Sequence, residues 1–220
     1  MSRTLVLVAA LAAASSLQAQ ATPSADVGKP AGTPQATAPA GWAARFDKAD
    51  ANPAGAKVVA TGKGLHFTTG PSATWYRGGE PIDGQYRVQA TFTQTKAPTH
   101  PESYGLMLFG RQMETPTQSY FYFMVRGDGK WALKHRANDT DVHTLVDWTA
   151  SPVVVAQDST GKATNTLAVD VAADSVRFTI NGQAVQALAR GNFGVAAGVT
   201  GIRMNHGLDV HVANFAVTRK

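Results

Sequence analysis

Tyr120, Tyr122 and Arg126 stand an even number of residues apart. In an extended segment that spacing puts them on one face. Trp131 and His135 follow just across a Gly127-Asp128-Gly129 turn, and Arg111 and Arg203 are further basic residues that could join them. Aromatic rings offer flat apolar faces to sugars, and guanidinium groups offer forked donors to hydroxyls or carboxylates. These seven residues form a candidate ligand-binding platform. The same aromatics could equally be sheet core with the arginines at its rim, and the sequence leaves both readings open.

Histidine chemistry is a second candidate. His135, His143, His206 and His211 are spread along the chain, with Asp141 and Asp209 as carboxylates that could converge on them. No short-spaced ligand motif joins them, so no metal site is expected from spacing alone. Paired carboxylates are missing from the strand-like segments. The only glutamates, Glu80, Glu102 and Glu114, lie in or beside Pro-rich loops, which argues against a retaining glycosidase pair. No catalytic residue can be assigned on these grounds.

Composition excludes several classes. The 220 residues are 44% hydrophobic and 16% charged, enough apolar material for a core and too little charge for a disordered chain. Twenty basic residues against fifteen acidic ones give +5. The basic residues are scattered without a run, so nucleic acid is not an expected partner. There is no cysteine, so packing rather than disulfides must hold the fold, and thiol chemistry is excluded.

The first residues read as an address. Arg3 precedes an uncharged Ala/Leu/Val-rich stretch, Thr4 to Ser16, and Ala19-Gln20-Ala21 carries the small residues a signal peptidase accepts. Residues 1–21 are therefore expected to be a bacterial-type signal peptide, with loss of Arg3 leaving 19 basic against 15 acidic residues, or +4. Export to the periplasm or the extracellular space follows, with no membrane span in the mature chain. Residues 22–41, rich in Ala, Pro, Thr and Gly, read as a flexible linker. Residues 42–220 are the expected folded domain.

Within that domain the alternation has period two. In Gly84 to Thr95, Tyr86, Val88, Ala90 and Phe92 fall on one face and polar residues on the other, as in a half-solvated antiparallel strand. Ser119 to Arg126 is bulky on both faces, which predicts a central strand covered on both sides. Further strands are expected at Tyr104 to Gln112, Lys130 to Arg136, Val142 to Trp148, Asn165 to Val171, Ser175 to Ile180, Ala184 to Leu188, Val199 to Asn205 and Leu208 to Thr218. Asn181-Gly182 and Asp128-Gly129 supply hairpin turns, and a phase shift at Ala213-Asn214 predicts a bulge. Roughly a dozen short strands suit an all-β, two-sheet antiparallel jelly-roll sandwich.

Four stretches carry a resemblance: Tyr104-Gly105-Leu106-Met107-Leu108-Phe109; Tyr120-Phe121-Tyr122-Phe123 running into Gly127-Asp128-Gly129-Lys130-Trp131; Asn165-Thr166-Leu167-Ala168-Val169 with Val176 to Gly182; and Gly201-Ile202-Arg203 with Val212 to Val217. In this order they resemble the concanavalin A-like lectin/glucanase sandwiches, closest to the laminin-G-like and 3-keto-disaccharide hydrolase-like group (domain of unknown function 1080). The resemblance implies a jelly roll whose one sheet faces a saccharide or another extracellular ligand. It also implies calcium as a candidate cofactor, for which the polar loop Asn138, Asp139 and Asp141 offers oxygens. The leading expectation is a non-catalytic binding module for saccharide or cell-envelope glycan. A hydrolase or lyase acting on a modified sugar and a structural envelope protein are the alternatives.

Overall fold

The computed structural model describes residues 38–62, 64–79 and 81–220; the expected leader and most of the expected linker lie outside them. Fourteen strands run through the described residues: β1 (Trp42–Phe46), β2 (Ala56–Thr61), β3 (Gly64–Thr69), β4 (Ala73–Arg77), β5 (Tyr86–Gln94), β6 (Ser103–Arg111), β7 (Ser119–Arg126), β8 (Lys130–Arg136), β9 (Val142–Ala150), β10 (Ala163–Val171), β11 (Ser175–Ile180), β12 (Gln183–Ala189), β13 (Val199–Met204) and β14 (Asp209–Arg219). They form two seven-stranded sheets, β1-β4-β13-β6-β7-β8-β9 and β12-β11-β10-β5-β14-β3-β2. Every pairing is antiparallel. No helix among the described residues is long and apolar enough to cross a membrane.

The core lies between the sheets. Tyr86, Val88, Ala90 and Phe92 of β5 are buried while Arg87, Gln89, Thr91 and Thr93 are half-buried, as the alternation requires. Edge-to-face and tilted ring pairs tie one sheet to the other: Phe123 to Phe178 at 5.2 Å, Phe67 to Trp75 at 5.2 Å, and Phe92 to Tyr104 at 5.7 Å between centroids. Such pairs add to the burial of the rings themselves.

The turns take the expected forms. Asn181 and Gly182 both have positive φ, 50° and 81°, the pair of angles a two-residue type I′ hairpin needs. β14 shifts register between Ala213 and Ala216, with Asn214 at φ 55°, so the bulge read from the phase of its apolar residues is present. Gly201 packs so tightly that a Cβ there would stand 2.1 Å from the Trp75 carbonyl oxygen. The expected segments from Gly84 onward all coincide with strands. Strands β1 to β4 lie outside the expected segments; β2 alternates incompletely along an exposed edge.

β6 and β7 are buried on both faces. Phe121, Phe123 and Val125 belong to the core between the sheets. Tyr120, Tyr122 and Met124 point the other way and form a separate apolar cluster with Tyr76, Met107 and Met113. Among the described residues no second layer covers that outward face, and its own large side chains bury one another.

Phe178 is fully buried and touches both Phe123 and Phe193. Phe178→Ala is expected to cost about 3–5 kcal/mol, read as a fall in the denaturant midpoint with unchanged slope.

Candidate functional site

The outward face of the first sheet carries a cleft of about 300 Å³. Its floor is Tyr122 and Met124 of β7 with Arg203 of β13. One side is Lys134 and Arg136 of β8 with Trp148 of β9, and Arg126 stands at the end of β7. Loops complete it with Asp47, Pro101, Glu102, Asn205 and His206. A second hollow of about 490 Å³ shares Asp47 and His206 with the first and continues over Lys48, Asp50 and Ser72.

Antiparallel register explains which residues meet there. Tyr120 pairs with Arg136, Tyr122 with Lys134, and Arg126 with Lys130. Directly opposed residues share a face, so the basic side chains of β8 join the tyrosines of β7 in the cleft.

The seven residues of the expected platform are thereby divided. Tyr122, Arg126 and Arg203 line the cleft, and Tyr120 lies beneath it with its hydroxyl 3.3 Å from Arg203 Nη1. Trp131 faces the other way, into the core, edge-on to Phe123 at 5.9 Å. His135 also lies on that other face, stacked on Phe121 with centroids 4.1 Å apart and Nε2 2.9 Å from Ser119 Oγ. Burial, then the charges of His143 and Arg111, push the His135 imidazole below its ordinary range. Arg111 is exposed beyond a bulge in β6 and keeps company with His135 rather than with the cleft. Odd positions of β8 oppose odd positions of β7, so Trp131 and His135 could never have shared a face with Tyr120 and Tyr122.

Arg203 is the most committed group in the cleft. It is 3% exposed. Both terminal nitrogens donate to the Asp47 carboxylate, Nε and Nη2 donate to Asn205 Oδ1 at 3.2 and 3.1 Å, and the guanidinium lies 5.3 Å from the Tyr122 ring centroid. Arg136 Nη2 approaches the same carboxylate at 3.2 Å. Burial opposes ionisation of Asp47, but the charge and hydrogen bonds of Arg203, with Arg136 behind them, hold its carboxyl below the usual range. Burial pushes the Tyr122 hydroxyl up to about 12 despite the nearby Arg203 charge, so this tyrosine stays neutral at physiological pH.

The aromatic faces are occupied by cations. Arg126 lies 4.5 Å and Lys134 5.7 Å from the Trp148 ring centroid. Arg126 is also paired with Asp128, whereas Lys134 has no carboxylate partner among the described residues. Four cations, Arg126, Lys134, Arg136 and Arg203, stand against two carboxylates, Asp47 and Glu102.

At one end of the cleft, a Glu102 carboxylate oxygen lies 2.8 Å from His100 Nδ1 and 2.8 Å from His206 Nε2. Of this trio the sequence reading weighed only His206, and Glu102 only as a loop residue; His100, two positions before Glu102, was the available signal. The other histidines do not converge. His135 and His143 are neighbours at 5.6 Å, and His211 lies beside His66 on the second sheet at 6.3 Å. In the Asn138–Asp141 loop, Asp139 is bound to Arg45 and Gln118, and Asp141 accepts from Asn138, so its carboxylates turn to internal partners.

No protein-family model and no curated protein matches the chain. Solved structures do. The carbohydrate-binding module CBM66 from Bacillus subtilis superposes with a TM-score of 0.60 at 9% identity, over 81% of this chain and 95% of that one. A putative glycosyl hydrolase from Parabacteroides distasonis gives 0.51 at 14% identity, over 82% and 88%. Alginate lyase A1-II′, a member of polysaccharide lyase family 7, gives 0.51 at 8% identity, over 71% and 80%. The architecture is a two-sheet antiparallel jelly-roll sandwich; at these identities the likeness is one of fold.

Removing the Asp47 charge leaves Arg203 buried and unpaired, so Asp47→Asn is expected to destabilise by about 3–5 kcal/mol at neutral pH. A carboxyl whose folded pKa is depressed contributes stability that is complete above its unfolded pKa, about 3.9, and lost as pH falls through the folded value. The unfolding midpoint of the unsubstituted protein should therefore drop on acidification below about pH 4, and Asp47→Asn should drop less over that range.

Proposed function

We propose that the cleft binds a saccharide carrying carboxylate groups, and that the protein is an exported, non-catalytic binding module. The observation that carries this reading is Trp148 flanked by Arg126 and Lys134, with the Lys134 ammonium free of any carboxylate partner among the described residues. A ring already covered by cations offers little bare face for stacking a neutral sugar. It offers instead an ammonium and a guanidinium held in place for an anionic one. Two shape-sharing proteins, one named as a carbohydrate-binding module and one as an alginate lyase, support a glycan ligand. The leader read in residues 1–21 would carry the cleft outside the cytoplasm, where envelope glycans are met.

Glu102 between two imidazoles at the cleft's end favours a second reading, a hydrolase or lyase acting on the same class of sugar. A carboxylate that orients an imidazole is a general-base arrangement.

Calorimetry against oligouronates and neutral oligosaccharides of equal length separates these. Binding of the oligouronate that weakens with salt, with Lys134→Ala about fivefold to tenfold weaker for one lost charged contact of 1–1.4 kcal/mol, is the expected result. Equal affinity for neutral sugars would refute the acidic-ligand reading. New reducing or unsaturated ends, formed by the unsubstituted protein and abolished in Glu102→Gln, would move the protein to the enzymes.

A further inference from the structure

We infer that His100, Glu102 and His206 form a binding site for a divalent transition ion of the zinc class at the mouth of the cleft. His100 and Glu102 come from the loop between β5 and β6, and His206 from the turn between β13 and β14. Their donor atoms, His100 Nδ1, a Glu102 carboxylate oxygen and His206 Nε2, all lie within 4.8 Å of one another. The ring centroids of the two histidines are 5.0 Å apart. In a four-coordinate zinc site with arms of about 2.0–2.1 Å, donor atoms stand roughly 3.3–3.4 Å apart. The two contacts of 2.8 Å to Glu102 would open by about half an ångström to admit the ion.

The surroundings suit such a site. The Glu102 side chain is 7% exposed while the imidazoles are 58% and 52% exposed, so the carboxylate is fixed and the rings are free to close on an ion arriving from solvent. The second ring nitrogen of His206 faces Ser72 Oγ at 3.4 Å, the kind of outer contact that orients a ligating imidazole. Two imidazoles and one carboxylate select zinc-like ions over calcium or magnesium, which want oxygen alone. Three protein ligands leave a coordination position open, and Glu102 and His206 both line the cleft.

Other clusters lack this combination. Asp209 faces His66 at 3.0 Å, but Lys96 at 3.1 Å already neutralises it. His135 and His143 are adjacent, with the cation Arg111 beside them in place of a carboxylate. Near the proposed site, Arg203 is spent on Asp47, and Arg126, close enough to feel the Glu102 charge, is bound to Asp128.

The test uses untagged mature protein stripped by a chelator and titrated with zinc, cobalt or calcium in the absence of any saccharide, so that it is independent of the glycan reading. One zinc per chain is expected, with a visible cobalt spectrum of a low-coordinate nitrogen and oxygen site and much weaker calcium binding. His100→Ala and His206→Ala, both at exposed positions, should fold as the unsubstituted chain does by circular dichroism and lose at least about tenfold in zinc affinity. His143→Ala should bind zinc unchanged. Failure to take up zinc saturably would overturn the assignment, as would uptake that survives both substitutions or falls in His143→Ala.

Discussion

A guanidinium charge at 3% exposure has to be answered, and Asp47 answers Arg203. The pair joins β13, an interior strand of the first sheet, to the segment that follows β1 at its edge. Leaving either charge alone in that setting would cost several kcal/mol. The pair therefore fixes the loop carrying Asp47 against the sheet, and with it one wall of the cleft. Arg136 on the other side of the carboxylate extends the same network to β8, so β13 in the floor and β8 at its side are both referred to a single carboxyl group.

The network lies on a face that neither sheet of the described residues covers. One face of each sheet is covered by the other sheet, and the core rings lock there. The outward face of β6 and β7 has no such cover among the described residues, yet its side chains are as buried as the core. Tyrosine, methionine and arginine manage this. Their apolar lengths pack sideways against one another, and their polar ends find partners in the same plane. A surface sealed in this way is stiff and chemically specific, and it presents cations held in place by rings and carboxylates.

The glycan reading and the metal assignment use different parts of this surface. The first depends on Arg126, Lys134 and Trp148, along the strands. The second depends on two loops that the strand order brings to the same end of the sheet. β13 pairs with β6, so the loop before β6 and the turn after β13 meet, and the donor atom of residue 206 comes within 4.8 Å of those of residues 100 and 102, which precede it by more than a hundred positions.

The chain's own pattern of residues determined the layered β architecture, because the alternation of Tyr86, Val88, Ala90 and Phe92 against polar neighbours can be buried in only one way. It likewise determined the Asn181-Gly182 turn and the Asn214 bulge, which depend on local backbone angles. It also marked β7 as covered on both faces, and offered Tyr122, Arg126 and Arg203 as candidate binding residues with a sheet-core reading left open beside it. What it left undecided was partnership. Whether Lys134 or His135 stands opposite Tyr122 depends on the register of β7 against β8, and a shift of one residue exchanges them. Whether Arg203 is a free donor or a buried pin depends on Asp47, 156 positions away. Only the tertiary structure set those pairings, since side chains distant in sequence meet through strand order and register, which local residue preference does not encode.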